Sequence, residues 1–164
     1  MMISEAMNAK LNEQVANEFM ASQTYLAMAC QFEGLNLKNL AAFFRKQTEE
    51  EREHALKIVD YVLEVGGRVK LAPLPAPRES YPSVLAAIET ALEHEKRVTQ
   101  QIHDLVSLAE QEKDYASRSF LNWYVDEQVE EVSSMDHLRA VCKMCGDHLL
   151  QLEAYLIHTK RAES

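Results

Sequence analysis

Apolar residues recur along this chain at alternating spacings of three and four over four long stretches, the period of a helix face turned to a core. The first stripe runs Leu11, Val15, Ser22, Tyr25, Ala29, and the second Leu40, Phe44, Gln47, Ile58, Tyr61, Val65. The third runs Val84, Ile88, Ala91, Val98, Ile102, Leu105, and the fourth Leu121, Tyr124, Gln128, Met135, Leu138, Cys142. All four glycines (34, 66, 67 and 146) and all four prolines (73, 75, 77 and 82) fall where these stripes stop. The pattern predicts an all-α chain with helices near 5–33, 37–65, 83–111 and 116–145 and a short fifth near 147–160.

The links between these helices set the topology. A few residues join the first helix to the second and the third to the fourth, so each pair is expected to be an antiparallel hairpin. The link GRVKLAPLPAPRESYP, 67–82, is longer, and its prolines favour extended backbone. At ~3.3 Å per residue it covers ~50 Å, whereas the second helix, rising ~1.5 Å per residue, is ~43 Å long. The chain can therefore return along the whole bundle, leaving the second and third helices parallel.

Every stripe is interrupted by a glutamate: Glu18, Glu51, Glu95 and Glu131. Each lies within about two residues, ~3 Å, of the middle of its helix, and a midpoint keeps its level whichever way the helix runs. The four acids are expected to converge. Bare buried carboxylates cost several kcal/mol apiece, so these must be protonated, paired or bound to metal, and no Lys or Arg occupies the stripes. Two divalent ions would cancel four carboxylates, and His54, one turn from Glu51, adds a nitrogen ligand that suits iron or zinc better than calcium. A solvated face accounts for Glu49 and Glu53, which lie off the second stripe, but not for four stripes broken at one level.

Composition narrows the partners. The net charge of −9 and the absence of a Lys/Arg run exclude binding to a nucleic-acid backbone, whereas an acidic surface attracts cations. The longest apolar run is the six residues YLAMAC, 25–30, too short to cross a membrane, and no leader pattern opens the chain. Three cysteines, Cys30, Cys142 and Cys145, suit a reducing compartment, so a cytoplasmic location is expected. Cys142-x-x-Cys145 lacks a second pair to complete a zinc or rubredoxin-type site and reads as two small buried hydrophobes.

With these residues placed, the chain resembles the ferritins, specifically bacterial non-haem ferritin. The resemblance covers residues 5 to about 160 and rests on Glu18 with Tyr25, Glu51-Arg-Glu-His54, Glu95, and FLNWYVDEQVEE at 120–131. It implies a single ferritin-like domain over 1–164: a four-helix bundle over about 5–145 with one long crossover, and a short C-terminal fifth helix over about 147–160. It implies that Glu18, Glu51 and His54 hold one iron and Glu51, Glu95 and Glu131 a second, with Glu51 bridging and Gln128 beside the second. A third iron site would use Glu50, Glu127, Glu130 and Glu131. Where many di-iron bundles repeat Glu-x-x-His, the fourth helix here has Gln128-Val-Glu-Glu131, which implies a looser second site. Bacterioferritins bind haem through a methionine directly after the bridging glutamate, and Arg52 stands there, so no haem is expected. Val129 replaces a histidine found in some relatives.

The implied activity is that of a ferroxidase in iron storage and detoxification. Fe(II) would be oxidised by dioxygen or hydrogen peroxide, and the ferric mineral kept inside a homo-oligomeric shell of twenty-four subunits. Tyr25 is a candidate electron donor and Trp123 a second, and both also read as core aromatics. The fifth helix, DHLLQLEAYLIHTK, carries Leu149, Leu152, Leu156 and Tyr155 on one side; it would pack at four-fold axes by resemblance, or against its own bundle. Acids near the third turn, Glu110, Glu112 and Asp114, read either as lining iron channels or as a solvated loop. His94, His103, His137, His148 and His158 are expected at the surface or in ordinary packing. The alternative is a discrete di-iron oxidase or peroxidase that stores no iron, or else a metal-free helical scaffold.

Overall fold

In a computed structural model of the chain, the backbone is described for residues 2–162 and the side chains for residues 2–158. Five helices follow in order: α1 (Glu5–Gly34), α2 (Lys38–Glu64), α3 (Val84–Glu112), α4 (Tyr115–Cys145) and α5 (Leu149–Ala162). These lie within a few residues of the helices predicted from the stripes. Side-chain oxygens of Ser4, Ser83 and Asp114 cap α1, α3 and α4 by accepting from the backbone N–H three residues on. The N-cap residue of α2, Leu37, makes no side-chain cap hydrogen bond. That role falls to Glu153 of α5, whose carboxylate accepts from the Leu40 N–H at 2.8 Å, the Asn39 N–H at 2.9 Å and the Asn39 side-chain amide at 3.0 Å.

The long link runs as the sequence predicts. At its start, Asn8 and Asn12 of α1 donate to the Arg68 carbonyl and accept from the Arg68 and Lys70 N–H groups. At its end, Gln31 of α1 exchanges two hydrogen bonds of 2.9 Å with the Tyr81 backbone. The link thus lies along α1 from its first turns to its last, and α3 begins at the end of the bundle where α2 begins. The two are parallel. Packing of α1 on α2, of α3 on α4 and of α1 on α3 completes the bundle, and α5 lies against α2 and α4.

Two turn positions depend on special backbone. Gly66 ends α2 at φ 73°, and the following Gly67 donates to the Val62 carbonyl at 2.7 Å, closing a left-handed helix cap. A Cβ on Gly67 would stand 2.5 Å from Asn8 Oδ1 and 2.9 Å from the Val62 carbonyl oxygen, so the link can begin its run along α1 only without a side chain there. At the end of α1 the left-handed residue is Asn36, φ 61°, rather than Gly34. Asparagine tolerates that conformation because its short polar side chain can bond locally.

All of the stripe residues named above are buried. They divide into two apolar clusters, one holding Tyr25, Phe32, Phe44, Ile88 and Leu138, the other Leu11, Val15, Ile58, Ile102, Leu121 and Tyr124. The interrupting glutamates lie between them. Polar side chains are thus held in a layer shut off from water at both ends, which is what makes their chemistry unusual. No helix among the described residues is long and apolar enough to cross a membrane.

Candidate metal centre

Glu18, Glu51, Glu95 and Glu131 are brought together from four helices, and none is more than 6% exposed. Their hydrogen bonds leave capacity unfilled. Glu18 Oε1 accepts from Gln14 Nε2 at 2.8 Å, while Glu18 Oε2, both oxygens of Glu51 and Glu95 Oε2 have no partner of ordinary hydrogen-bond geometry. Glu95 Oε1 accepts from the Tyr25 hydroxyl. No Lys or Arg ion pair among the described residues reaches any of the four acids. Buried anions without partners are expensive, so the layer is built for a bound cation or for protons.

The carboxyl groups respond to that environment. Burial, and then the negative charge of Glu51, pushes Glu18 well above the usual carboxylate range, and a proton shared with Glu51 adds to the effect. Glu51 is likewise raised, by burial and by Glu95. Burial lifts Glu95 to about 7 against the opposing hydrogen bond from Tyr25, and lifts Glu131 to about 8 with the help of Glu95 and Glu50. Tyr25 is held firmly protonated by burial and by the charge of Glu95. A divalent cation reverses this pattern, because it favours the ionised carboxylates that ligate it.

Two groups of side chains place their ligand atoms within 4.8 Å of one another. Glu18, Glu51 and His54 form the first; His54, Glu127 and Glu131 form the second. The first coincides with the iron set implied by the resemblance. Glu51, Glu95 and Glu131 do not gather as tightly, although their charges act on one another. His54 Nδ1 lies 3.4 Å from Glu51, and its Nε2 lies 4.0 Å from Glu127 on the opposite side. Sequence reasoning missed this approach of His54 to Glu127, since a three-residue spacing relates it to Glu51 but nothing along the chain relates it to Glu127.

The remaining candidates have distinct places. Gln128 is buried, and Thr99 Oγ1 donates to its side-chain oxygen at 3.0 Å, turning its amide toward Glu95. Glu50, Glu127, Glu130 and Glu131 line one cavity of about 370 Å³ together with Gln47, His137 and Tyr155. Glu49, Glu53 and Glu130 are exposed, as is Val129, which points away from the acids at 68% exposure. Trp123 is 37% exposed, with His54 at its edge 5.3 Å away and the Lys57 ammonium 4.4 Å over its ring, so it is not the core aromatic that its neighbours suggested. His94 is buried, edge-on to Tyr25 at 5.9 Å, and burial lowers it to about 4 so that it stays neutral. His137 bonds to the Tyr155 hydroxyl.

The acids near the third turn have local work. Glu110 pairs with Arg118, Glu112 accepts from the Ser4 hydroxyl, and Asp114 caps α4. The three cysteines are free thiols: Cys142 is buried, Cys145 half-buried and Cys30 exposed.

Known proteins share this fold. The profile described as Ferritin-like domain matches residues 8–145. The bacterial non-heme ferritin of Staphylococcus haemolyticus is 37% identical over 149 residues, which is 88% of this chain and 90% of that protein. The one from Staphylococcus epidermidis is 40% identical over 135 residues, 82% of this chain and 81% of that protein. Among solved structures, an open-pore ferritin from the hyperthermophilic archaeon Archaeoglobus fulgidus superposes with a TM-score of 0.92 at 43% identity, covering 94% of this chain and 96% of that one. The family match and these likenesses extend over most of the chain, and the chain belongs to the ferritin family.

Proposed function

We propose that this protein stores and detoxifies iron, oxidising Fe(II) at the mid-bundle acids and keeping the ferric product inside a shell of its own copies. The observation that carries this reading is the set of partnerless carboxylate oxygens on Glu18, Glu51 and Glu95 in a layer closed by apolar clusters at both ends. Iron is the substrate. Glu18, Glu51 and His54 would hold one Fe(II), and Glu51, Glu95 and Glu131 a second, with Glu51 between them and Gln128 alongside. Hard carboxylate oxygens favour Fe(III) over Fe(II), which promotes loss of an electron to dioxygen or hydrogen peroxide.

The chain's own groups do the rest. As an ion binds, the raised carboxyls release their protons. Tyr25 orients Glu95 through its hydroxyl and, bonded to a proposed ligand of the second ion, is the candidate electron donor. Glu50, Glu127, Glu130 and Glu131, around one cavity, form a third position through which oxidised iron moves on. The assembly is a closed homo-oligomer, of twenty-four subunits by its kinship with the ferritins, in the cytoplasm.

Size-exclusion chromatography followed by aerobic addition of Fe(II) tests the reading. A storage protein elutes as a large particle and retains far more iron than its ligand sets can hold. Elution as a small species that stops at two irons per chain would identify a discrete oxidase instead, and absence of fast oxidation would leave only a scaffold.

A further inference from the structure

His54 is the one residue common to both ligand groups, and it meets them with different nitrogens. Nδ1 faces Glu51, 3.4 Å away, and Nε2 faces Glu127, 4.0 Å away. A neutral imidazole carries one lone pair and one N–H, so it can ligate through only one nitrogen at a time while the other donates. We propose that His54 serves two divalent-ion positions in alternation: an inner one with Glu18 and Glu51 through Nδ1, and an outer one with Glu127 and Glu131 through Nε2. This rests on the proposed mid-bundle iron centre.

Both positions have more than acidity behind them. The inner one is aimed at by Glu18 Oε2 and both Glu51 oxygens, all buried and without ordinary partners. The outer one opens on the cavity of about 370 Å³ lined by Glu50, Glu127, Glu130 and Glu131, which has room for an ion and its water ligands. The buried Gln47, also on that cavity, has an unpartnered side-chain oxygen.

Alternation gives Glu127 a part it lacks as a simple ligand. While Nδ1 holds the inner ion, the Nε2–H needs an acceptor, and a small swing of the half-exposed Glu127 supplies one. An acceptor behind a ligating histidine fixes its tautomer and typically contributes 10–100-fold to metal affinity. When an outer ion draws Glu127 away, that support is lost and the inner ion is loosened. Glu127 is thus a positioning residue for the inner position, and filling the outer one weakens binding at the inner.

Anaerobic calorimetric titration of the intact protein with Zn²⁺ alone tests this, comparing Glu127→Ala, Glu18→Gln and His54→Ala. Glu127→Ala, which removes the acceptor, is expected to weaken the tightest event 10–100-fold although Glu127 lies outside the inner group. Glu18→Gln, isosteric and relieved of a buried charge, should abolish the inner event yet tighten the outer one, because Nε2 becomes free to serve it. A merely structural role for Glu127 would not produce that opposite movement. If His54→Ala loses binding while Glu127→Ala leaves the tightest event unchanged, or if Glu18→Gln leaves the outer event no tighter, alternation is wrong and the iron centre stands. If His54→Ala leaves every event intact, the centre itself is misplaced and alternation falls with it.

Discussion

At the scale of single residues, the chemistry comes from acids held where water cannot solvate them. Glu51 stands between Glu18 and His54 on one side and the charges of Glu95 and Glu131 on the other, so its loss should be felt at every ion position. Glu51→Ala and His54→Ala are each expected to abolish rapid Fe(II) oxidation, followed by stopped-flow absorbance, without changing the particle's elution volume. The same burial sets a pH dependence. Glu95 and Glu131 titrate in the unfolded chain near the ordinary carboxylate value of 4.5 and in the fold near about 7 and about 8. Folding therefore favours their protonated forms, a contribution complete below 4.5 and lost as pH rises through 7 and 8. The metal-free protein should lose resistance to denaturant between about pH 5 and pH 8, and Glu131→Gln should flatten that slope. Zn²⁺ binding should expel more protons at pH 6.5 than at pH 9, a difference readable in unbuffered solution.

At the scale of elements, a helix cap and a glycine carry more weight than their size suggests. α5 is secured to the bundle by Leu152 and Leu156 and by Glu153, which supplies the acceptor that the N-terminus of α2 lacks in its own sequence. Removing a cap costs ~1 kcal/mol, and leaving buried N–H groups unpaired adds to it. Glu153→Ala is expected to lower stability by about 2 kcal/mol in denaturant titration, with Glu153→Gln recovering part of the loss. Gly67→Ala should cost about 1–3 kcal/mol, because the new methyl meets the Val62 carbonyl and the Asn8 side chain that steer the long link.

At the scale of the whole molecule, the charge of −9 per chain surrounds the protein with a field that gathers cations. Such steering is screened beyond ~10 Å at 0.1 M salt. The initial rate of Fe(II) uptake is therefore expected to fall severalfold between about 10 mM and about 0.5 M inert salt, while the capacity for stored iron stays the same. The polar layer lies between two apolar clusters that each draw on α1, α2, α3 and α4. Stability and ligand geometry are therefore coupled, and filling the layer with Zn²⁺ should raise the unfolding temperature.

Much of this could be read along the chain, because helical period and helix length are local quantities. The stripes marked which residues would be buried, and a midpoint keeps its height whatever the direction of its helix, so the convergence of Glu18, Glu51, Glu95 and Glu131 followed from counting. Link length alone made α2 and α3 parallel. Relations across helices left no such trace. Glu153 caps α2 from more than a hundred residues away, Tyr25 bonds to Glu95 on another helix, and Asn36 rather than Gly34 takes the left-handed turn. Whether Trp123 lay in the core or at its edge, and which carboxylate faced the far nitrogen of His54, depended on how the helices rotate against one another. Rotation is set by the packing of all four faces together, so the sequence determined which groups share a level and only the tertiary structure decided which of them touch.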